Sequence, residues 1–447
     1  MNYGEAKKIL KKTFNQDNFN EVNFKEFLHH LFAKKINISD SVQNVEPEYQ
    51  SHIKSCKIIG EFVDINNQEI VLLIVKLAPQ KELDRSRTLQ RNFIAEILKN
   101  SFKTYALVAF VSSDEANWRF SLVKLEISFS ENNFHEKLSS ARRFSFLVGK
   151  NEGTHTVQSQ FLKFFIDETQ NIAPTIAQIE KLFDIETVTN KFFEKYKELF
   201  CLVQEGLQDL FNNDEKIKND FIAKEISIPD FAKKTLGQIV FLYFLQKKGW
   251  FGVKNDKDWG SGDKNFLRQL FEKNKENQNF FNDVLEHLFY EALAQDRGIN
   301  AIYTKLDCRM PFLNGGLFEP MNGYAWETTK INLPNQIFSN NNSTKEGDVG
   351  DGIFDVFDRY NFTVNENEPL EQEVAVDPEM LGKVFENLLE IKDRKSKGAF
   401  YTPREIVHYM CQESLINYLH NHCDLPMEQL TNFIKNKSLE NIENSAL

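Results

Sequence analysis

Apolar positions in the first third of the chain change their period twice. Residues 4–35 read as two helical patches, with Phe24, Phe27, Leu28, Leu31 and Phe32 at three- and four-residue spacing on a shared face. The period then shortens. Residues 57–64 read as a strand, Ile65-Asn-Asn-Gln68 supplies turn residues, and residues 69–77 form a second, nearly continuous apolar strand. Residues 86–100 return to helical spacing, with Leu89, Phe93, Ile97 and Leu98 on one side, and residues 105–112 and 118–127 read as two more strands. Helix, paired strands, helix and further strands predict a small α/β domain over residues 1–150.

Beyond Thr154 the pattern is helical for more than 200 residues. Residues 187–212, 230–248 and most of 266–295 carry helical spacing, and Gly249 closes the second of these as a left-handed cap. Residues 339–352 are polar and glycine-rich, a surface loop. Gly315-Gly316, set between large apolar residues, predict a tight turn with positive φ or a close backbone approach at a packing corner. Asp377 and Pro378 are suited to the N-cap and first position of an amphipathic helix reaching Leu389. It leads into Lys395-Ser-Lys-Gly-Ala-Phe-Tyr-Thr-Pro403, which a further helical run follows from Arg404. Residues 151–380 are thus expected to be a large helical connector, and residues 381–447 the start of another domain.

Composition adds limits. With 447 residues, 41% of them hydrophobic, the chain can bury more than one core, and 41 phenylalanines favour helices with aromatic faces. The longest apolar runs, residues 105–111 and 239–245, are far shorter than a membrane span, and the opening Met-Asn-Tyr-Gly-Glu-Ala lacks the apolar core of a secretory signal. A cytoplasmic protein without a membrane partner is expected. Five scattered cysteines support neither a disulfide framework nor a zinc site. The net charge of −11 excludes an evenly basic surface. Positive charge is instead local: residues 76–103 hold seven basic residues against three acids. Within that stretch Arg85, Arg87 and Arg91 are spaced so that at least two share a helix face suited to DNA phosphates or base edges.

Two strands, a basic helix and a third strand are also the ingredients of the PD-(D/E)xK nuclease core. That chemistry needs acids that hold Mg²⁺ and a lysine that orients the attacking water. Lys76 ends the second strand and Asp64 precedes it by twelve residues, with Glu61 and Glu69 as supporting acids and Gln90 as an extra polar group. Asp64 and Glu61 are the expected metal ligands. Ile74 stands where the acid two residues before the lysine belongs. The sequence leaves open an active nuclease, a degenerate nuclease-like fold that only touches DNA, and a lysine that simply ends a strand in solvent.

Several segments, in order along the chain, resemble the type IIG restriction–modification enzymes, in which a nuclease and an N6-adenine DNA methyltransferase share one polypeptide. They are Leu73-Ile-Val-Lys-Leu77, the three arginines from Arg85 to Arg91, Trp118-Arg-Phe-Ser-Leu-Val-Lys-Leu125, Arg143-Phe-Ser-Phe-Leu-Val-Gly149, Phe312-Leu-Asn-Gly-Gly-Leu-Phe318 and Gly398-Ala-Phe-Tyr-Thr-Pro403. The resemblance implies an α+β protein: a small PD-(D/E)xK-like α/β domain, a large mainly helical connector, and the first helices of a methyltransferase domain. It implies double-stranded DNA as partner and, in the complete enzyme, S-adenosylmethionine, one wall of whose pocket would be Lys397, Gly398, Phe400, Tyr401, Thr402 and Pro403. The glycine-rich cofactor loop and the Asn-Pro-Pro-Tyr motif of that family do not occur here. The expectation is therefore a truncated or split restriction–modification protein of phage defence, its remaining methyltransferase and specificity parts on a separate chain. The alternative is a non-catalytic DNA-binding or assembly subunit.

Overall fold

The computed structural model describes all residues except 1, 16, 80–82, 84–85, 129–136, 150–151, 167–172, 299, 314, 346, 365–369, 380–381, 383–401, 403, 424 and 437–447. The chain is α+β and forms two compact units, residues 1–377 and residues 378–447.

Helices α1 (Tyr3–Phe14) and α2 (Glu21–Leu31) open the first unit, each capped by an asparagine, Asn2 and Asn20. Strands β1 (Asn37–Gln43), β2 (Ile53–Val63) and β3 (Glu69–Leu77) form an antiparallel meander. Helix α3 (Arg87–Asn100) then crosses over so that β4 (Tyr105–Val111) runs parallel to β3. Strands β5 (Asn117–Ser128) and β6 (Lys137–Gly149) continue antiparallel. A hairpin of β7 (Ile302–Tyr303) and β8 (Cys308–Arg309) stands apart, and β9 (Glu371–Glu373) returns to the sheet parallel to β6. The sheet order is β1-β2-β3-β4-β5-β6-β9.

Alternation along β3 assigns its two faces. Ile70, Leu72 and Ile74 enter a phenylalanine-rich core with α1, α2, α4 (His155–Ile166) and α5 (Ile176–Leu182). Phe27 lies at its centre, 5.0 Å from Phe14, 5.5 Å from Phe161 and 5.6 Å from both Phe120 and Phe165. Val71, Leu73 and Val75 enter a second core under Phe93, Ile94 and Leu98 of α3. The boundary expected near residue 150 is not a break in packing. Phe161, Phe165, Ile179, Val188 and Val374 share the first core, and β9 joins the sheet from more than 200 residues downstream.

Helices α6 (Ile185–Asn213), α7 (Glu215–Ala223), α8 (Ile228–Lys247) and α9 (Phe266–Asn274) form the helical part of this unit. Helix α8 is buried on nearly every side, so it is central to that packing. The helical run expected over 266–295 divides: beyond α9 the chain forms two π-helical segments, Phe280–Leu285 and Leu288–Leu293. Gly249 has φ +68° and caps α8 as expected. Gly315 has a positive φ of 145°, yet a Cβ on Gly315 or Gly316 would meet nothing within 4 Å. The pair lies in an exposed loop rather than at a packing corner, held by Lys234 donating to Gly316 O (2.9 Å) and Gln238 to Leu317 O (2.8 Å). Short helix α10 (Ile353–Phe357) precedes β9.

In the second unit α11 (Arg404–His422) pairs with α12 (Met427–Asn436), joined by a Lys435–Glu413 ion pair of 2.5 Å. No helix of the described residues is long and apolar enough to cross a membrane.

Candidate functional site

The antiparallel register of β2 and β3 fixes where the proposed catalytic residues sit. Val63 pairs with Glu69 at the turn end, and Ser55 pairs with Lys76 at the open end. At about 3.3 Å per residue, the seven steps from Glu69 to Lys76 put Asp64 roughly 23 Å from Lys76. The structure therefore does not bring Asp64 and Lys76 together.

Asp64 closes the β2–β3 turn. Its Oδ1 accepts from the backbone N–H groups of Asn66 (2.8 Å) and Gln68 (2.9 Å), and its Oδ2 accepts from Ile176 N (2.9 Å) at the start of α5. Burial alone would raise its carboxyl pKa, but these donors, Ile176 first, outweigh that and hold it below the usual carboxylate range. Asp64 is thus a clasp between the sheet and α5. Asp64→Ala is expected to cost about 1–3 kcal/mol in urea unfolding, because it strands buried donors. The carboxylate's contribution is present above the ordinary aspartate range and is lost as pH falls through its lowered pKa, so the gap between variant and parent should close in acid.

Glu61 and Glu69 belong to the same far end, and both pair with Lys103, Glu69 at 3.6 Å. At the open end Lys76 Nζ donates to Glu115 Oε1 at 2.6 Å. Ile74 is buried in the apolar core, and the residue opposite it on β2 is Lys57. Lys57 pairs with Glu21 at 2.7 Å, and Lys25 ties Glu21 (3.0 Å) to Asp40 (2.7 Å). Partial burial would raise the pKa of Glu21, but its bonds to Lys57 and Lys25 bring it below the ordinary value. Glu21, Asp40 and Glu115 are thus each matched by an ammonium group. The residues present do not fit a Mg²⁺ centre at Lys76.

Gln90 and Arg91 face inward rather than toward solvent. Gln90 donates to Leu83 O (3.1 Å) and Ser86 Oγ (2.9 Å) and accepts from Arg143 Nη1 (2.8 Å). Arg91 is buried and ion-paired with Glu371 at 3.3 Å, so it is not presented to DNA. Arg87 and Arg91, four residues apart, do share a helix face, but at Arg91 that face packs onto the sheet. Arg85 lies outside the described residues.

The network that holds Gln90 and Arg91 was not anticipated. Arg143, fully buried, donates through Nε to Glu371 Oε2 at 2.8 Å, and its guanidinium lies 5.3 Å over the Phe110 ring. Arg119, also fully buried, donates to Glu373 Oε2 (2.9 Å) and to Ser145 Oγ (3.2 Å). Burial pushes the Arg143 pKa down to about 10, which leaves it charged at neutral pH. A signal was available: arginines embedded in the apolar strands Trp118–Leu125 and Arg143–Gly149 need buried acids, and Glu371-Gln-Glu373 supplies two at strand spacing.

Among the described residues one acidic group has the spacing to hold a cation, Glu46, Glu48 and Glu96, which lies outside the expected nuclease set. Of the expected cofactor wall, Thr402 is described and exposed; Lys397, Gly398, Phe400, Tyr401 and Pro403 lie outside the described residues.

Over 314 residues the chain is 26% identical to a protein of Methanocaldococcus jannaschii named "Putative type II restriction enzyme and methyltransferase RM.MjaORFECS2P". The match covers 64% of this chain and 23% of that protein, so the chain spans less than a quarter of its relative. No protein-family model and no solved structure matches the chain. The chain is thus similar in sequence to a type II restriction–modification protein.

Proposed function

We propose that this chain is a DNA-acting part of a restriction–modification system whose α/β sheet is a nuclease-like scaffold that binds or positions DNA without cutting it. The observation that carries the reading is the separation of Asp64 from Lys76 along β3. The order β2-β3-α3-β4, with β4 parallel to β3, is the arrangement the nuclease-like core would have. Its catalytic positions carry an apolar side chain, a paired lysine and a turn-closing aspartate. The DNA reading rests on the M. jannaschii relative. Residues 395–403 are proposed as the start of a methyltransferase domain that would take S-adenosylmethionine only when completed, in this polypeptide or by a second chain.

A supercoiled plasmid incubated with the full chain and Mg²⁺ or Mn²⁺ should stay un-nicked, at the level of Lys76→Ala. In a filter-binding assay the same chain should hold duplex DNA more tightly as salt falls. Metal-dependent nicking that vanishes in Lys76→Ala would overturn the non-cutting reading. No binding at any salt would remove DNA as the partner.

A further inference from the structure

The loop after α8 builds an aromatic and cationic surface on a rigid base. The carbonyl of Gly249 accepts from both Gly260 N (3.1 Å) and Gly262 N (2.9 Å), and Asp263 N donates to Phe251 O (2.8 Å). A Cβ at Gly249 would come within 2.3 Å of Gly260 O, and one at Gly262 within 2.1 Å of Phe251 O, so these close approaches require glycine. Phe251 and Val253 are buried beneath the loop, and Arg309 N donates to Val253 O (2.8 Å), which fastens the loop to β8.

Two of the chain's four tryptophans lie on this base, Trp250 and Trp259, with ring centroids 6.4 Å apart. Lys248 Nζ stands 5.0 Å over Trp250, and the Arg309 guanidinium 4.5 Å over Trp259. Trp259 is 38% exposed, although its size favours burial. Lys248, Lys254 and Lys257 are exposed and have no carboxylate partner among the described residues. Arg309 donates Nε to Asn300 O and Nη1 to Lys257 O, with no acid paired to it among the described residues. The loop also carries Asp256, Asp258 and Asp263, of which Asp263 is engaged with Asn265 N; Lys247 and Lys264 are matched by Glu152.

We propose that Trp250 and Trp259, with Lys248, Lys254, Lys257 and Arg309, form a binding surface for unpaired nucleotides of DNA, a base stacking on Trp259 and the cations meeting the flanking phosphates. This rests on the DNA reading above and names the form of DNA taken and its place on the chain. Any base offers a π-face to an aromatic ring, and unmatched cations beside that ring track the backbone, so the surface is sequence-tolerant. Arg309, held by two backbone carbonyls, adds a fixed positive charge beside the Trp259 ring. Four cations outnumber the two exposed acids beside them, Asp256 and Asp258, which favours a polyanion over a neutral or basic protein partner.

The test measures fluorescence anisotropy of the full chain with a labelled 20-nucleotide single strand and with its duplex, at low salt. Trp259→Leu keeps an apolar side chain and removes the indole face; it is expected to weaken single-strand binding roughly tenfold while leaving the duplex unchanged. Trp259→Phe should restore most of the loss, which separates stacking from loop folding. Lys254→Ala with Lys257→Ala should flatten the salt dependence of single-strand binding. Unchanged single-strand affinity in Trp259→Leu, with duplex binding intact, overturns this inference and spares the DNA reading. No binding of either oligonucleotide by the parent chain overturns both.

Discussion

Glu371→Ala is expected to destabilise the residue 1–377 unit by about 3–5 kcal/mol, among the largest effects of any single truncation here. Glu371 is 2% exposed and faces two guanidinium groups, Arg143 at 2.8 Å and Arg91 at 3.3 Å. Removing it leaves two buried positive charges whose nearest remaining acid among the described residues is Glu373, which Arg119 already holds at 2.9 Å. The isosteric Glu371→Gln keeps the shape but not the charge, so it should recover only part of the loss. β9 is three residues long and has little apolar surface of its own, so these ion pairs add to a short backbone ladder with β6. Equilibrium unfolding in urea measures the change. A loss below about 1 kcal/mol, the range of an exposed pair, would mean that water reaches the network.

Glu286 gives the second large effect, in the opposite sense with pH. It is fully buried between the two π-helical segments, accepts from Tyr324 Oη at 2.5 Å, and its other carboxyl oxygen has no hydrogen-bond partner among the described residues. Tyr290 Oη lies 3.2 Å from Tyr324 Oη, whose oxygen can accept from it. Burial pushes the Glu286 carboxyl up to about 9, against which the Tyr324 hydroxyl acts only in part. The folded chain therefore keeps a proton that the unfolded chain has lost across the interval between the ordinary glutamate value and 9. In that interval stability falls as pH rises. The stabilisation is complete below the unfolded value and gone above the folded one. At 1.36 kcal/mol per pH unit, going from pH 6 to pH 8 costs roughly 2–3 kcal/mol from this group. Glu286→Gln is neutral at every pH and keeps an acceptor for Tyr324. Thermal melts over pH 5.5–8.5 should show the variant gaining on the parent steadily as pH rises. Two parallel curves would show that Glu286 is not protonated in the folded state.

Much of the local structure was legible. The switch from three–four spacing to strand runs marked α1, α2 and the β2–β3 hairpin, and the return of helical spacing at Leu89 and Phe93 marked α3. Gly249 marked the end of α8, because capping is a contact with the helix's own last turn. The proposed Asp64–Lys76 pairing failed on information the hairpin already held. A twelve-residue interval that contains a tight turn spans nearly the whole ladder, so one residue stands at the turn and the other at the open end. The expectation of an Arg87–Arg91 DNA face lacked any account of which side of α3 meets the sheet.

By itself the sequence determined the element types, the hairpin, the aromatic character of the cores and the likeness to restriction–modification proteins, since each depends on neighbouring residues or on ordered motifs. Only the tertiary structure decided that β9 completes the sheet, that Arg91, Arg119 and Arg143 are buried, and that Lys57 and Lys76 already have acidic partners. The pairs that enforce those outcomes lie far apart in the chain, 228 residues for Arg143 and Glu371 and 254 for Arg119 and Glu373. A buried charge needs its counter-charge in space, and periodicity along the chain does not record where in space that partner comes from.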